Sequence, residues 1–328
     1  MKRISVLFCG GTVGMMRNKS GALTPTFSSK LLLEKIPDMN KIANVTVRQV
    51  VNVDSSNMTP KIWEDLAVTI QKLYNQFDGF VVIHGTDTMA FTASALSFAI
   101  QNLTKPIIFT GSQKPLSDIA SDAPINIINA LLVATKHVPD VCIVFGSRIL
   151  RGVRSSKVSE SHLNAFESPL FEKIGNITTE PHVHAVYAEK KKKKIQFQAR
   201  FDPHVAVVDV IPGFNPEIFA ILIDSSLHGI ILRTFGPGNI PDSLISEIRR
   251  AKEKGFPILI LSQSVYGMTQ MHLYQVGYQA LRAGAIPGRD MTMEAALTKF
   301  MWILAQTRDP VKIDKAFRTN FAGEVTLS

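Results

Sequence analysis

The 328-residue chain holds only two cysteines, Cys9 and Cys142. Each lies within or at the end of an apolar, strand-like run, which argues against a disulfide framework and fits buried thiols in a reducing cytoplasm. Long apolar spans are lacking too, and nothing points to a membrane partner. The opening Met1-Lys2-Arg3-Ile4-Ser5-Val6-Leu7-Phe8 is too short in its apolar part for a signal peptide and reads as a first strand. At 45% hydrophobic and 19% charged residues, the composition has none of the polar bias of a disordered chain. Repeats are absent, and the one low-complexity stretch is the lysine run 190–194. That run has no interleaved aromatics on which bases could stack. The net charge of +9 therefore reads as a solvated basic surface, with no nucleic acid as partner.

What is present is a long alternation of apolar strand-like runs and helical stripes, the pattern of a parallel sheet covered by helices. Strands are predicted at 3–8, 45–53, 79–83, 106–110 and 141–145. One helix begins with Thr59 as N-cap and Pro60 at the first helical position, with Ile62, Leu66, Ile70 and Leu73 as its buried stripe. Another follows Ser121-Asp122-Ala123-Pro124 and runs through Ile128, Leu131 and Leu132, and a third covers 88–103. Composition turns polar and lysine-rich from about 185 to 203. A second alternation then begins, with strands at 205–211, 229–232 and 257–262, helices from Pro216 and over 241–254, and two or three closing helices including 291–305. The predicted fold is α/β: a larger N-terminal parallel-sheet domain with flanking helices, residues 1–185, a linker, 186–203, and a smaller C-terminal α/β domain, 204–328.

Chemistry is expected at the strand ends, where open α/β sheets bind their ligands. The run Gly79-Phe80-Val81-Val82-Ile83 leads into His84-Gly85-Thr86-Asp87-Thr88-Met89, at the start of a helix whose free N–H groups and dipole favour an anion. A hydroxyl (Thr86) beside a carboxylate (Asp87) can orient a substrate bearing both charges. The plain alternative is that both merely cap the helix. The first strand ends in Gly10-Gly11-Thr12-Val13-Gly14, whose glycines allow close backbone approach. Their spacing is not GxGxxG, and no acidic residue follows where a ribose would need one, so a dinucleotide loop is disfavoured. The second strand ends in Asp54-Ser55-Ser56, suited to a carboxylate or amide but also common turn chemistry. The fourth ends in Thr110-Gly111-Ser112-Gln113, whose backbone can bond a substrate amide. After the fifth comes Arg151-Gly152-Val153-Arg154-Ser155-Ser156-Lys157, whose lysine is either a surface cation or a partner that helps a nearby threonine hydroxyl give up its proton.

Taken together these segments resemble the L-asparaginase family, most closely its cytoplasmic bacterial type I branch. The resemblance rests on Gly10 to Met15, Asp54-Ser55-Ser56-Asn57-Met58-Thr59-Pro60, His84 to Met89, and Thr110 to Gln113 with Ser121 to Pro124. It continues through Arg151 to Lys157 with Ala165-Phe166, and Gly284-Ala285-Ile286-Pro287-Gly288 with Asp290-Met291-Thr292, so that nearly the whole chain is covered. It implies hydrolysis of L-asparagine to L-aspartate and ammonia through an acyl-threonine intermediate, without metal or cofactor. By residue, it implies Thr12 as first nucleophile, Thr86, Asp87 and Lys157 as a second catalytic group, and Asp54, Ser55, Thr86 and Asp87 as substrate-binding groups. Backbone N–H groups near Thr12 and Thr86 would form the oxyanion hole. It also implies a homodimer or dimer of dimers, with the turn Gly236-Pro237-Gly238-Asn239 as a segment that could reach a neighbour. The resemblance departs at the loop after the first threonine, where Ala22 stands in the place of a tyrosine that members often carry. That loop, 15–27, is expected to close as a lid with Gly21 among its hinges. Two alternatives share the motifs. One is the ammonia-releasing subunit of an archaeal-type Glu-tRNA amidotransferase, which normally has a further domain before the Gly-Gly-Thr turn, and the other is a non-catalytic amino-acid sensor.

Overall fold

The computed structural model describes residues 1–17, 23–25, 29–184 and 193–326. Of the predicted lid, 15–27, the flanks Met15–Arg17 and Leu23–Pro25 pair as antiparallel strands, whereas its middle with Gly21 and Ala22, like most of the lysine run, lies outside the described residues. The chain divides into two compact units, Met1–Ala199 and Arg200–Ser328.

The first unit is built on eight strands: β1 (Arg3–Gly10), β2 (Asn44–Val53), β3 (Gly79–Ile83), β4 (Ile107–Thr110), β5 (Val141–Phe145), β6 (Arg148–Arg151), β7 (Gly175–Ile177) and β8 (Pro181–Val183). Their order across the sheet is β8-β7-β6-β5-β4-β3-β1-β2. The five predicted strands pair in parallel, while β6, β7 and β8 add an antiparallel edge beyond the predicted strands. Every residue of β3, β4 and β5 is buried, as a strand covered on both faces requires. Successive side chains alternate between faces. Ile4, Val6 and Phe8 of β1 join Val81, Ile83, Ile108, Cys142 and Val144 in one core, closed by α3 (Ala123–Ala134). The other face carries α1 (Pro60–Leu73) and α2 (Met89–Ala99). In α1 the buried stripe is Trp63, Leu66, Ala67, Ile70 and Leu73. The predicted Ile62 is only half-buried, because the bulkier Trp63 takes the inward place and donates its indole N–H to Thr92 of α2 (3.1 Å). Thr59 stands at the N-cap position, but its hydroxyl makes no capping bond.

The chain runs from β1 to β2 on one side of the sheet and then crosses to β3 on the other side of β1. The strand order therefore reverses at β1, and the carboxyl ends of β1 and β3 flank the crevice where such sheets bind ligands.

The second unit carries a parallel sheet of β9 (Val205–Asp209), β10 (Gly229–Thr234), β11 (Ile258–Ser262) and β12 (Ile286–Pro287) in that order. Its helices are α4 (Pro216–Ile223), α5 (Ile245–Glu253), α6 (Gln275–Ala283), α7 (Met293–Leu304) and α8 (Pro310–Phe317). The predicted helix 241–254 divides into a 3-10 turn, Asp242–Leu244, followed by α5. Nearly all of α7 is buried, so its apolar sequence serves the core. Part of the predicted linker is structured: Gln196–Phe197 pairs with Ile100–Gln101 of the first unit. No helix among the described residues is long and apolar enough to cross a membrane.

Candidate active site

Two turns meet at the switch point. Gly10 and Gly11 have φ of +103° and +88°, conformations that L side chains rarely adopt, and the Gly11 amide donates to Val53 O of β2 (3.1 Å). A Cβ on Gly11 would lie 2.3 Å from Gly85 Cα, so the backbones that carry Thr12 and Thr86 are in contact and neither glycine position tolerates a side chain. Ser55 joins them from the end of β2. A Cβ on Gly85 would lie 2.6 Å from both Ser55 Cβ and Oγ, and Thr88 donates its hydroxyl to Ser55 O (2.8 Å).

Capping alone does not account for Thr86 and Asp87. Thr88 occupies the N-cap position of α2, and its side chain is spent on Ser55. The buried Thr86 hydroxyl instead accepts from Lys157 Nζ at 2.9 Å, and Asp87 Oδ1 accepts from the same ammonium at 2.6 Å. Lys157 is thus no surface cation. Its side chain is 17% exposed, whereas that of Asp87 is 65% exposed and open to a ligand. The crossover that returns Lys157 is anchored by a 3-10 turn, Gly152–Arg154. There Ser94 of α2 donates to Gly152 O (3.2 Å), a Cβ on Gly152 would meet Ala93 at 3.2 Å, and the buried Arg154 guanidinium stacks on Phe171 (4.6 Å). Lys157 then pairs across a two-residue strand with Phe166.

Asp54 uses its Oδ1 on its own turn, accepting from the amide (2.9 Å) and hydroxyl (2.8 Å) of Ser56. It stands next to Ser55 and shapes that turn. Two further residues matter, to whose side chains the sequence pattern assigns no role. Gln113 accepts the Thr86 hydroxyl at a long 3.4 Å and donates to Glu160 O (2.9 Å) and His162 O (3.2 Å), tying the β4 turn to the loop beyond Lys157. Its own turn is held by Asp122, whose carboxylate accepts from the amides of Gln113 and Lys114. His84 is fully buried beneath Thr86 and bonds both Gly85 O and Thr92. Its place in the motif is the only signal of it in the sequence, since its partners are set by folding.

Among the described residues one group has metal-ligand character, Asp202 with His204 and His228 in the second unit. Both ring Nδ1 atoms lie 2.8 Å from the Asp202 carboxylate, which also accepts the His204 amide (2.9 Å) and the Arg308 guanidinium. Burial alone would raise the Asp202 pKa, but these donors together hold it well below the usual carboxylate range. With two donors on each carboxylate oxygen and a guanidinium alongside, this is a closed ion-pair cluster, poorly suited to a cation. Neither Cys9 nor Cys142 forms a disulfide and both are buried, and burial pushes the Cys9 thiol up to about 12.

Comparison with known proteins gives the family. The profile "Asparaginase, N-terminal" matches residues 3–190, and "Glutaminase/Asparaginase C-terminal domain" matches residues 204–317. L-asparaginase 1 of Escherichia coli K12 is 36% identical over 99% of this chain and 98% of its own length. A glutamyl-tRNA(Gln) amidotransferase component of Pyrococcus abyssi is 33% identical over 99% of this chain but 77% of its own length. Among solved structures, the thermostable L-asparaginase from Thermococcus kodakarensis superimposes with a TM-score of 0.94 at 34% identity, over 99% of this chain and 100% of that one. The chain belongs to the asparaginase family.

Proposed function

We propose that this protein hydrolyses L-asparagine to L-aspartate and ammonia through an ester on Thr12, with Thr86, Asp87 and Lys157 as the second catalytic group. The observation that carries this reading is the Lys157 ammonium bonded at once to the Thr86 hydroxyl and the Asp87 carboxylate, beside the Gly11–Gly85 contact that brings the two threonine turns together. The substrate's ammonium goes to the exposed carboxylate of Asp87, while the Ser55 hydroxyl meets its carboxylate and Asp54, bonded to Ser56, shapes the turn that presents Ser55. Thr12 Oγ attacks the side-chain amide carbon. The oxyanion is received by backbone N–H groups of the two turns, the proton given up by the Thr12 hydroxyl passes to the amide nitrogen, and the C–N bond breaks to release ammonia. Lys157 lowers the cost of an alkoxide at Thr86, which directly or through water takes the proton of the molecule that opens the ester.

The enzyme works in the cytoplasm, consistent with its two buried thiols, neither in a disulfide. It assembles as a homodimer or dimer of dimers; the exposed apolar side chains Tyr266, Met268, Leu273, Tyr274 and Tyr278 of the second unit support a buried interface there. The deciding assay is ammonia release from L-asparagine, with L-glutamine alongside, by the wild type, Thr12→Ala and Thr86→Ala. Release by the wild type alone, faster on asparagine, is expected. Equal rates in all three would remove the threonines from the reaction and favour an amino-acid sensor.

A further inference from the structure

We propose that His84 is a positioning residue for Thr86: its Nδ1–H, with Nε2 left to accept from Thr92, pins the Gly85 carbonyl and so aims the Thr86 amide as an oxyanion donor. This rests on the amide hydrolysis proposed above and assigns a role to a buried group which that mechanism leaves unused.

The chain has one consistent assignment of protons. His84 Nδ1 lies 2.7 Å from Gly85 O, and a carbonyl oxygen only accepts, so the ring nitrogen carries the hydrogen. In a neutral imidazole Nε2 is then the acceptor. It lies 2.9 Å from Thr92 Oγ1, which donates to it and in turn accepts the Trp63 indole N–H at 3.1 Å. The direction is set at the Gly85 carbonyl, which only accepts; the indole N–H occupies one lone pair of the Thr92 oxygen, and the Thr92 hydrogen has Nε2 at 2.9 Å as a closer acceptor than Thr88 O at 3.3 Å. Neutrality follows from the surroundings: the ring is fully buried, lies edge-on to Phe109 at 6.0 Å, and burial holds its pKa near 4 although the bond to Gly85 O opposes the shift.

The Gly85–Thr86 peptide is planar and trans, so its N–H points opposite to its C=O. With the carbonyl drawn inward to the ring, the Thr86 N–H faces away from the core. Gly85 cannot be repaired by substitution, because Ser55 and Gly11 press on its Cα from two sides. His84 is therefore the group that sets the rotation of this peptide plane. A backbone donor aimed at a developing oxyanion contributes on the order of 10²–10³-fold to kcat, and the contribution appears in the transition state rather than in substrate binding.

The test combines kinetics with a direct reading of the tautomer. ¹⁵N NMR of the intact protein labelled in histidine should show His84 with a protonated Nδ1 and an unprotonated Nε2, unchanged between about pH 8 and pH 5.5. His84→Leu should lower kcat about 10- to 100-fold with KM within twofold. His84→Asn, whose side-chain amide N–H can take the place of Nδ1–H, should recover most of the loss. Thr92→Val, which leaves the ring without its hydroxyl donor, should cost less than His84→Leu. A purely structural histidine would give Leu and Asn variants that fall together and no split between kcat and KM. An Nε2–H tautomer, or wild-type kcat in His84→Leu, overturns the proposal. Should His84→Leu not fold, the tautomer and the Asn and Thr92→Val variants decide the matter. A wild type with the expected tautomer but no ammonia release overturns the underlying reaction and with it the catalytic role, which is distinguishable from a failed tautomer.

Discussion

The clusters around Asp202 and Asp87 both join a carboxylate to basic side chains, and they behave in opposite ways. Around Asp202 the donors of His204, His228, Arg308 and one backbone amide saturate both oxygens of a carboxylate that is 6% exposed. Around Asp87 a single lysine bridges carboxylate and hydroxyl, and the carboxylate is 65% exposed. The first network is closed and has no bonding capacity left for a ligand. The second is held firmly on one side and left open on the other. A cluster of ionisable groups thus becomes a candidate site through the bonds it leaves unfilled, which burial and hydrogen-bond partners reveal and residue type alone does not.

The comparison breaks most sharply at the threonines. Thr12→Ala and Thr86→Ala should each lower kcat for ammonia release on the order of 10³-fold or more while moving Tm by only a few degrees, measured by steady-state kinetics and calorimetry. Lys157→Met should follow, with a kcat loss of about 10²–10⁴-fold, because it removes the proton-handling partner but keeps the chain packing. In the closed cluster the readouts exchange places. Asp202→Asn should leave kcat within twofold and lower Tm, since it removes a charge on which three bases converge. The sign of its pH dependence follows from the lowered pKa: stability from Asp202 is present above the ordinary carboxylate value of 3.8 and is lost as pH falls below it, so the wild-type and Asp202→Asn unfolding curves should converge in acid.

His84 gives a second pH signature, of the same sign. Its folded pKa of about 4 lies below the unfolded value of 6.5, so it favours the folded state fully above pH 6.5 and progressively less as pH falls towards 4. Between pH 7 and 5 the wild type should lose on the order of 2 kcal/mol that His84→Asn does not lose, read from urea unfolding. The smallest effect is expected for Gln113→Leu, whose bond to Thr86 is long at 3.4 Å. A few-fold drop in kcat would follow from about 1 kcal/mol of lost orientation.

Much of the fold is legible because burial on both faces writes itself into the sequence. The runs at 79–83 and 141–145 appear as strands with those same bounds, being unbroken apolar stretches between turn residues. The antiparallel strand Arg148–Arg151 escapes that pattern, its only cue being Gly146-Ser147, a two-residue hairpin signal with Gly146 at φ +58°. Helical spacing points to Ile62 where the structure buries Trp63, because spacing alone cannot tell which of two neighbouring apolar residues fills the gap beside Thr92. The positions of the site residues are also readable, since glycine–threonine turns at strand ends are local features. Their pairings are not. The Gln113 amide reaches backbone oxygens 47 and 49 residues away, and Lys157 reaches Thr86 across 71, distances that only the packing of Gly152 on Ala93 and Ser94 resolves. Whether Asp202 and Asp87 sit in closed or open networks is equally invisible, because that depends on partners contributed by other elements.

The most direct test is to look for the ester itself. Thr86→Val, which deletes the hydroxyl with little change of shape, should be mixed with L-asparagine, quenched in acid and digested for peptide mass spectrometry. The account predicts a stoichiometric aspartyl ester on the peptide bearing Thr12, formed with one equivalent of ammonia and only slowly lost. An ester on another residue, or ammonia released catalytically with no adduct at any time, would contradict it.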